Sequence, residues 1–211
     1  MTKIKICGIK ALPDALAAAE AGADMLGFNF YSKSVRWIDI QTCSQITTVL
    51  RREHPSIQLV GVFVNASAGE IQRTLETCCL DLAQLSGDES PELCAALGGR
   101  DYKAFHGVPD PGAQPYARGG APALLVDGAA GGAYGGTGLA ADWSAAAQLA
   151  RLYPLLLAGG LRPDNVAEAV VRVKPWGVDV ASGVESRAGE KDARKISAFV
   201  QSVRLAELES R

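Results

Sequence analysis

Two residues in this chain have the types and positions needed for acid–base chemistry at carbon. Cys7 closes the apolar run Ile4–Cys7, and Asp127 closes the run Ala123–Asp127. A thiolate removes a proton and a protonated carboxyl donates one, so such a pair can flank a substrate with opposite protonation states. Taken singly, a cysteine at a strand end is a small apolar side chain and an Asp before a Gly is a turn residue. Three glycine-rich segments join them, because each follows one of the last three apolar runs: 128–138, Gly159-Gly160-Leu161 and Ser182-Gly183-Val184-Glu185. Glycine lets the backbone approach an anion and present N–H groups, and a following helix N-terminus adds a favourable dipole. These segments point to a phosphate site. No Gly-Lys-Ser/Thr follows any of them, so it is not a P-loop.

Side-chain alternation puts Lys3, Lys5 and Cys7 on one face of the first strand. If Cys7 faces an interior, Lys5 does too, and a buried lysine needs a partner. Asp179 on the last strand can supply it, and the ammonium would then favour the thiolate of Cys7. Arg36, eight residues beyond the second strand, can bind a carboxylate through two parallel hydrogen bonds, although a loop arginine is more often a solvated charge. His54 and His106 have no partner at triad or metal spacing.

The elements that must position these residues alternate along the chain. Strands are expected at Ile4–Cys7, Met25–Phe28, Leu59–Val64, Leu82–Leu85, Tyr102–Phe105, Ala123–Asp127, Leu155–Ala158 and Val178–Ala181. Helices are expected at Asp14–Ala21, Ile40–Arg52, Ala68–Thr77, Pro91–Leu97, Trp143–Leu152, Pro163–Val171 and Glu190–Leu208, whereas 109–120 is too rich in Pro and Gly for one. Pro13, Pro91 and Pro163 fit helix starts, with Asp14 and Asp164 complementing the dipole, and Gly22 fits a helix stop. Eight strands with intervening helices imply a parallel sheet, and continuous runs such as Leu155-Leu156-Leu157 suit burial on both faces. The expectation is α/β, a single (β/α)8 TIM barrel over residues 1–211. Every strand end then lies on one face, where the loops build the active site. A doubly wound open sheet is the alternative.

The 211-residue length suits one barrel, and a net charge of −2 gives no basic field for nucleic acid or an anionic membrane. No apolar run is long enough to span a bilayer, and the start of the chain has no signal-peptide pattern. Five cysteines without a CxxC spacing fit reduced thiols in a cytoplasmic protein and argue against a structural metal. A closed barrel buries its own sheet edges, so a monomer is expected.

The motifs taken in order resemble the phosphoribosylanthranilate isomerases of tryptophan biosynthesis. The resemblance rests on Lys5-Ile6-Cys7-Gly8-Ile9, Val60-Gly61-Val62-Phe63-Val64-Asn65 and Gln84-Leu85-Ser86-Gly87-Asp88-Glu89. It continues through Leu125-Val126-Asp127, Gly135-Gly136-Thr137-Gly138, Leu157-Ala158-Gly159-Gly160-Leu161 and Val178 to Glu185, and covers residues 3 to 200. The resemblance implies an Amadori rearrangement of a phosphoribosyl substrate with no metal and no organic cofactor. It implies Cys7 as general base, Asp127 as general acid and Arg36 as the ligand of the anthranilate carboxylate. Gly136, Thr137, Gly159, Gly160, Ser182 and Gly183 are the implied phosphate contacts. The chain departs from the family pattern at Ser86, where His is common, at Val35, where Pro is common, and at Lys10, where Thr often stands. Related phosphate-binding barrels are the nearest rival reading. An indole-glycerol-phosphate synthase would show a lysine and glutamate set, and a histidine-pathway isomerase would show aspartates ending strands one and five. A non-catalytic phosphosugar-binding barrel is the other rival, and binding alone does not need both Cys7 and Asp127.

Overall fold

The computed structural model describes residues 1–109, 112–117, 120–127 and 142–209. Eight parallel strands close a barrel in sequence order: β1 Lys3–Cys7, β2 Met25–Asn29, β3 Gln58–Phe63, β4 Leu82–Leu85, β5 Asp101–His106, β6 Leu124–Asp127, β7 Leu155–Leu157 and β8 Gly177–Val180. The ring shuts where β8 pairs with β1, with Lys5 level with Asp179. Helices α1 Leu12–Glu20, α2 Ile40–Glu53, α3 Ala68–Thr77, α4 Pro91–Ala96, α5 Trp143–Ala150, α6 Val166–Val173 and α7 Ala193–Glu209 follow the strands. This is the expected (β/α)8 barrel and excludes the open sheet.

The strands form because alternate residues serve two cores. Outward side chains such as Ile4, Ile6, Leu26, Leu59 and Val178 pack under the helices in one continuous apolar layer. Inward side chains Met25, Val60, Tyr102, Leu125 and Leu156 fill the barrel floor. Above that floor the interior turns polar, with Lys5, Gln84 and Asp179 all buried. Helix starts are held by side chains accepting from backbone N–H groups: Asp39 from Thr42, Ser90 from Leu93, and Ser67 in a reciprocal pair with Glu70. Gly22, with φ +96, stops α1 in a left-handed turn, as its position after Ala21 predicts.

The first helix starts two residues earlier than expected, at Leu12, and two other helices start three residues later than expected. The sixth helix begins at Val166 and not at Pro163, because Asn165 builds a turn first. Its Oδ1 accepts from Arg162 N at 2.8 Å, and its Nδ2 donates to Gly160 O at 2.9 Å. Asp164 pairs with Arg162 at 3.0 Å instead of complementing a helix dipole. The last helix begins at Ala193 because a short antiparallel ribbon, β9 Glu185–Arg187 and β10 Glu190–Lys191, occupies the residues before it. The ribbon turns through Gly189, with φ +82.

Candidate active site

Each strand ends on the same rim, and the rim encloses a cavity of about 410 Å³. Cys7, Arg36, Asp127 and Asp179 all line it, so the structure brings both halves of the expected acid–base pair and the carboxylate ligand together. His106, at the end of β5 and level with Asp127, lines it as well. A larger groove of about 730 Å³ lies between α2 and α3, lined by residues such as Phe30, Trp37 and Thr77, and none of the candidate residues reaches it.

Beneath Cys7 the predicted ion pair is present. Lys5 Nζ lies 2.9 Å from Asp179 Oδ1 and is fully buried. Two further partners were not legible in the sequence: Lys5 Nζ donates to Gln84 Oε1 at 2.9 Å, and Tyr102 Oη donates to the same oxygen at 2.9 Å. Burial alone pulls the ammonium down, but Asp179, with Cys7 and Tyr102, outweighs it and holds Lys5 above its ordinary range. For Cys7 the balance goes the other way. Burial pushes the thiol up, Lys5 opposes that, and Asp179 reinforces it, so the thiol sits above its usual value. The expected favourable influence of Lys5 is there, and burial outweighs it. Space for thiol and ammonium comes from Gly27 on β2, where a Cβ would meet Cys7 Sγ at 2.8 Å and Lys5 Cε at 3.2 Å.

Arg36 is fixed by a contact that sequence reasoning missed. Its Nε and Nη2 donate to the two carboxylate oxygens of Glu185 at 2.7 and 2.8 Å. The Glu185 side chain is buried, and Lys191 Nζ also donates to it at 3.0 Å and to Ala181 O at 2.9 Å. Burial raises the Glu185 carboxyl, but Arg36 and Lys191 bring it below the usual carboxylate range. The stem of Arg36 lies over Gly8, where a Cβ would meet its Cδ at 2.5 Å. Nε and one edge of Nη2 are thus committed, and among the described residues Nη1 has no hydrogen-bond partner.

Gly159, Gly160, Ser182 and Gly183 are not among the residues that line the cavity, although Ala181, the neighbour of Ser182, is. Gly159 and Gly160 take positive φ values of +91 and +64. Gly183 packs so closely on this segment that a Cβ would meet Leu161 O at 1.9 Å. Ser182 and Gly183 open a short 3-10 turn, Ser182–Val184. Gly136 and Thr137 lie outside the described residues.

A family model described as N-(5'phosphoribosyl)anthranilate (PRA) isomerase matches residues 4–202. The N-(5'-phosphoribosyl)anthranilate isomerase of Geobacter sulfurreducens is 46% identical over 201 residues, covering 95% of this chain and 98% of that protein. The crystal structure of phosphoribosyl anthranilate isomerase from Thermotoga maritima superposes with a TM-score of 0.87 at 34% identity, covering 97% of this chain and 99% of that one. A structure of such an isomerase in complex with reduced 1-(o-carboxyphenylamino)-1-deoxyribulose 5-phosphate superposes at 0.83, again at 34% identity, over 97% and 99% of the two chains. With its barrel, its rim of glycines and its Cys–Asp pair in one cavity, the chain belongs to the N-(5'-phosphoribosyl)anthranilate isomerase family.

Proposed function

We propose that Cys7 and Asp127 isomerise N-(5-phosphoribosyl)anthranilate to 1-(o-carboxyphenylamino)-1-deoxyribulose 5-phosphate by proton transfer alone. The observation that carries this reading is the placement of Cys7, Asp127 and Arg36 around one cavity at the barrel mouth. The complex of a related isomerase with the reduced product supports the choice of ligand. Asp127, as acid, gives its proton to the ribose ring oxygen, and the ring opens to an imine. Cys7, as thiolate, takes the proton from sugar C2, and the resulting enolamine tautomerises to the ketone. Arg36 holds the anthranilate carboxylate through the edge that Glu185 leaves open. Gly159, Gly160, Ser182 and Gly183 present backbone N–H groups to the phosphate, and the family resemblance adds Gly136 and Thr137 as phosphate contacts.

The test is turnover of phosphoribosylanthranilate made in situ from anthranilate and phosphoribosyl pyrophosphate, followed by loss of anthranilate-type fluorescence and coupled to consumption of the product. Coupling separates isomerisation from spontaneous hydrolysis. Wild type should turn over, and Cys7→Ser and Asp127→Asn should each lose about 10²- to 10⁴-fold in kcat, the usual contribution of a general acid or base. Folded variants that keep wild-type kcat would overturn the assignment.

A further inference from the structure

The polar layer inside the barrel has a direction, and the direction ends at Ser86. Lysine nitrogen can only donate. Lys5 Nζ lies 2.9 Å from one oxygen of Gln84, and Tyr102 Oη lies 2.9 Å from the same atom. The amide of Gln84 therefore cannot be turned over, because Nε2 would then face the ammonium. Its Nε2 must point the other way, where it donates to Ser86 Oγ at 3.1 Å. Gln84 and Ser86 are both buried and both line the catalytic cavity. Ser86 Oγ thus accepts from below, and among the described residues its own proton has no acceptor. That proton is therefore open to a ligand in the cavity.

Barrel order limits which part of a ligand it meets. The strands run in sequence around a closed ring, so β4 stands opposite β8. A phosphate held at the ends of β7 and β8 leaves the remainder of the substrate reaching across toward Ser86.

We propose that Ser86 is a one-way hydrogen-bond donor to a substrate oxygen, its polarity set by Lys5 through Gln84. The inference rests on the function proposed above. The acceptor is an oxygen of the pentose or of the anthranilate carboxylate. Ser86 is a positioning and binding residue in this reading and takes no part in proton transfer.

The experiment measures binding of two ligands by calorimetry: the reduced ketose phosphate, and its counterpart built on aniline, which lacks the carboxylate. Inorganic phosphate serves as a control on the far side of the barrel. Ser86→Ala should weaken the reduced ketose phosphate about three- to tenfold, the ordinary net worth of one hydrogen bond. Ser86→Thr should restore it, and phosphate affinity should not change. The turnover assay should show the loss in KM with kcat retained, the mark of uniform binding. If the aniline ligand is weakened equally, the acceptor is a sugar oxygen; if it is unaffected, the acceptor is the carboxylate. Gln84→Glu separates direction from mere presence of the hydroxyl. A carboxylate there offers no donor, so Ser86 turns to donate to it and the same affinity should be lost with the serine still in place.

Unchanged binding in Ser86→Ala would overturn the proposal. So would parallel loss of phosphate affinity and thermal stability, which would make Ser86 structural. Wild-type binding in Gln84→Glu with weak binding in Ser86→Ala would overturn the imposed polarity. Absence of turnover by wild type would instead overturn the function on which the proposal rests.

Discussion

At the scale of single residues, the thiol chemistry depends on charges that surround it below and beside. Cys7 is held above its ordinary range chiefly by burial, with Lys5 pulling the other way. A thiol that grips its proton more tightly needs a higher pH to act as base. The ascending limb of kcat/KM against pH should therefore lie on the alkaline side, and Lys5→Met should move it further up by removing the favourable ammonium. An unchanged profile in a folded Lys5→Met variant would show that Lys5 does not tune Cys7. Arg36 yields a second expectation. Glu185→Gln removes the charge that grips both Arg36 and Lys191, so the guanidinium loses its aim. KM should rise about tenfold or more with a smaller change in kcat, and a ligand without the carboxylate should not feel the difference. Equal loss for both ligands would place Arg36 elsewhere in the site. The Lys5–Asp179 pair was legible because strand parity and barrel closure are periodic properties of the chain. The Arg36–Glu185 pair was not, because no period connects a loop after β2 to one after β8. Gln84 and Tyr102 escaped for the same reason: each reads as an ordinary strand residue until the barrel brings it to Lys5.

At the scale of elements, strand positions were predicted to within a residue or so, since buried apolar runs bounded by polar turns are a strong local signal. The misplaced starts of α6 and α7 share a cause. In both, a segment belonging to the rim was read as helix because its composition permits one. Pro163 fits a first helical turn, yet Asn165 spends both ends of its amide on Arg162 and Gly160 and so shapes the loop after β7. Residues Glu190 and Lys191 fit a helix, yet they pair back on β9 and deliver Lys191 to Glu185. The local rule fails where the chain is shaping the site. Gly183 tests how strictly the two glycine loops must meet. Gly183→Ala would force a Cβ onto Leu161 O, so the loops must separate. Competitive inhibition by inorganic phosphate should weaken at least tenfold while far-ultraviolet dichroism stays close to wild type. Retained inhibition would mean that phosphate is held by other groups.

At the scale of the whole molecule, the helices lie around the strands, and α7 packs against both α6 and α1 across the closing seam. Phe199 on α7 is fully buried in that junction. Phe199→Ala should cost about 3–5 kcal/mol in urea unfolding, because the cavity left there has rigid walls. Loss below about 1 kcal/mol would show that the site collapses around the smaller side chain. Among the described residues no helix is long and apolar enough to cross a membrane. The closing seam carries more than apolar contact. Arg204 on α7 reaches Thr2 O at 2.7 Å and Asp24 at 2.9 Å, and Asp24 also pairs with Lys3 at 2.8 Å, so the last helix is clasped to the first strand. That clasp means the barrel has no natural starting point: where the polypeptide is cut matters less than that all eight strands and the helices between them are present. A rearranged gene that joins the residues after α7 to Thr2 through a short glycine linker, and opens the chain in the exposed Gly98-Gly99 turn, should fold into the same catalyst with its units renumbered.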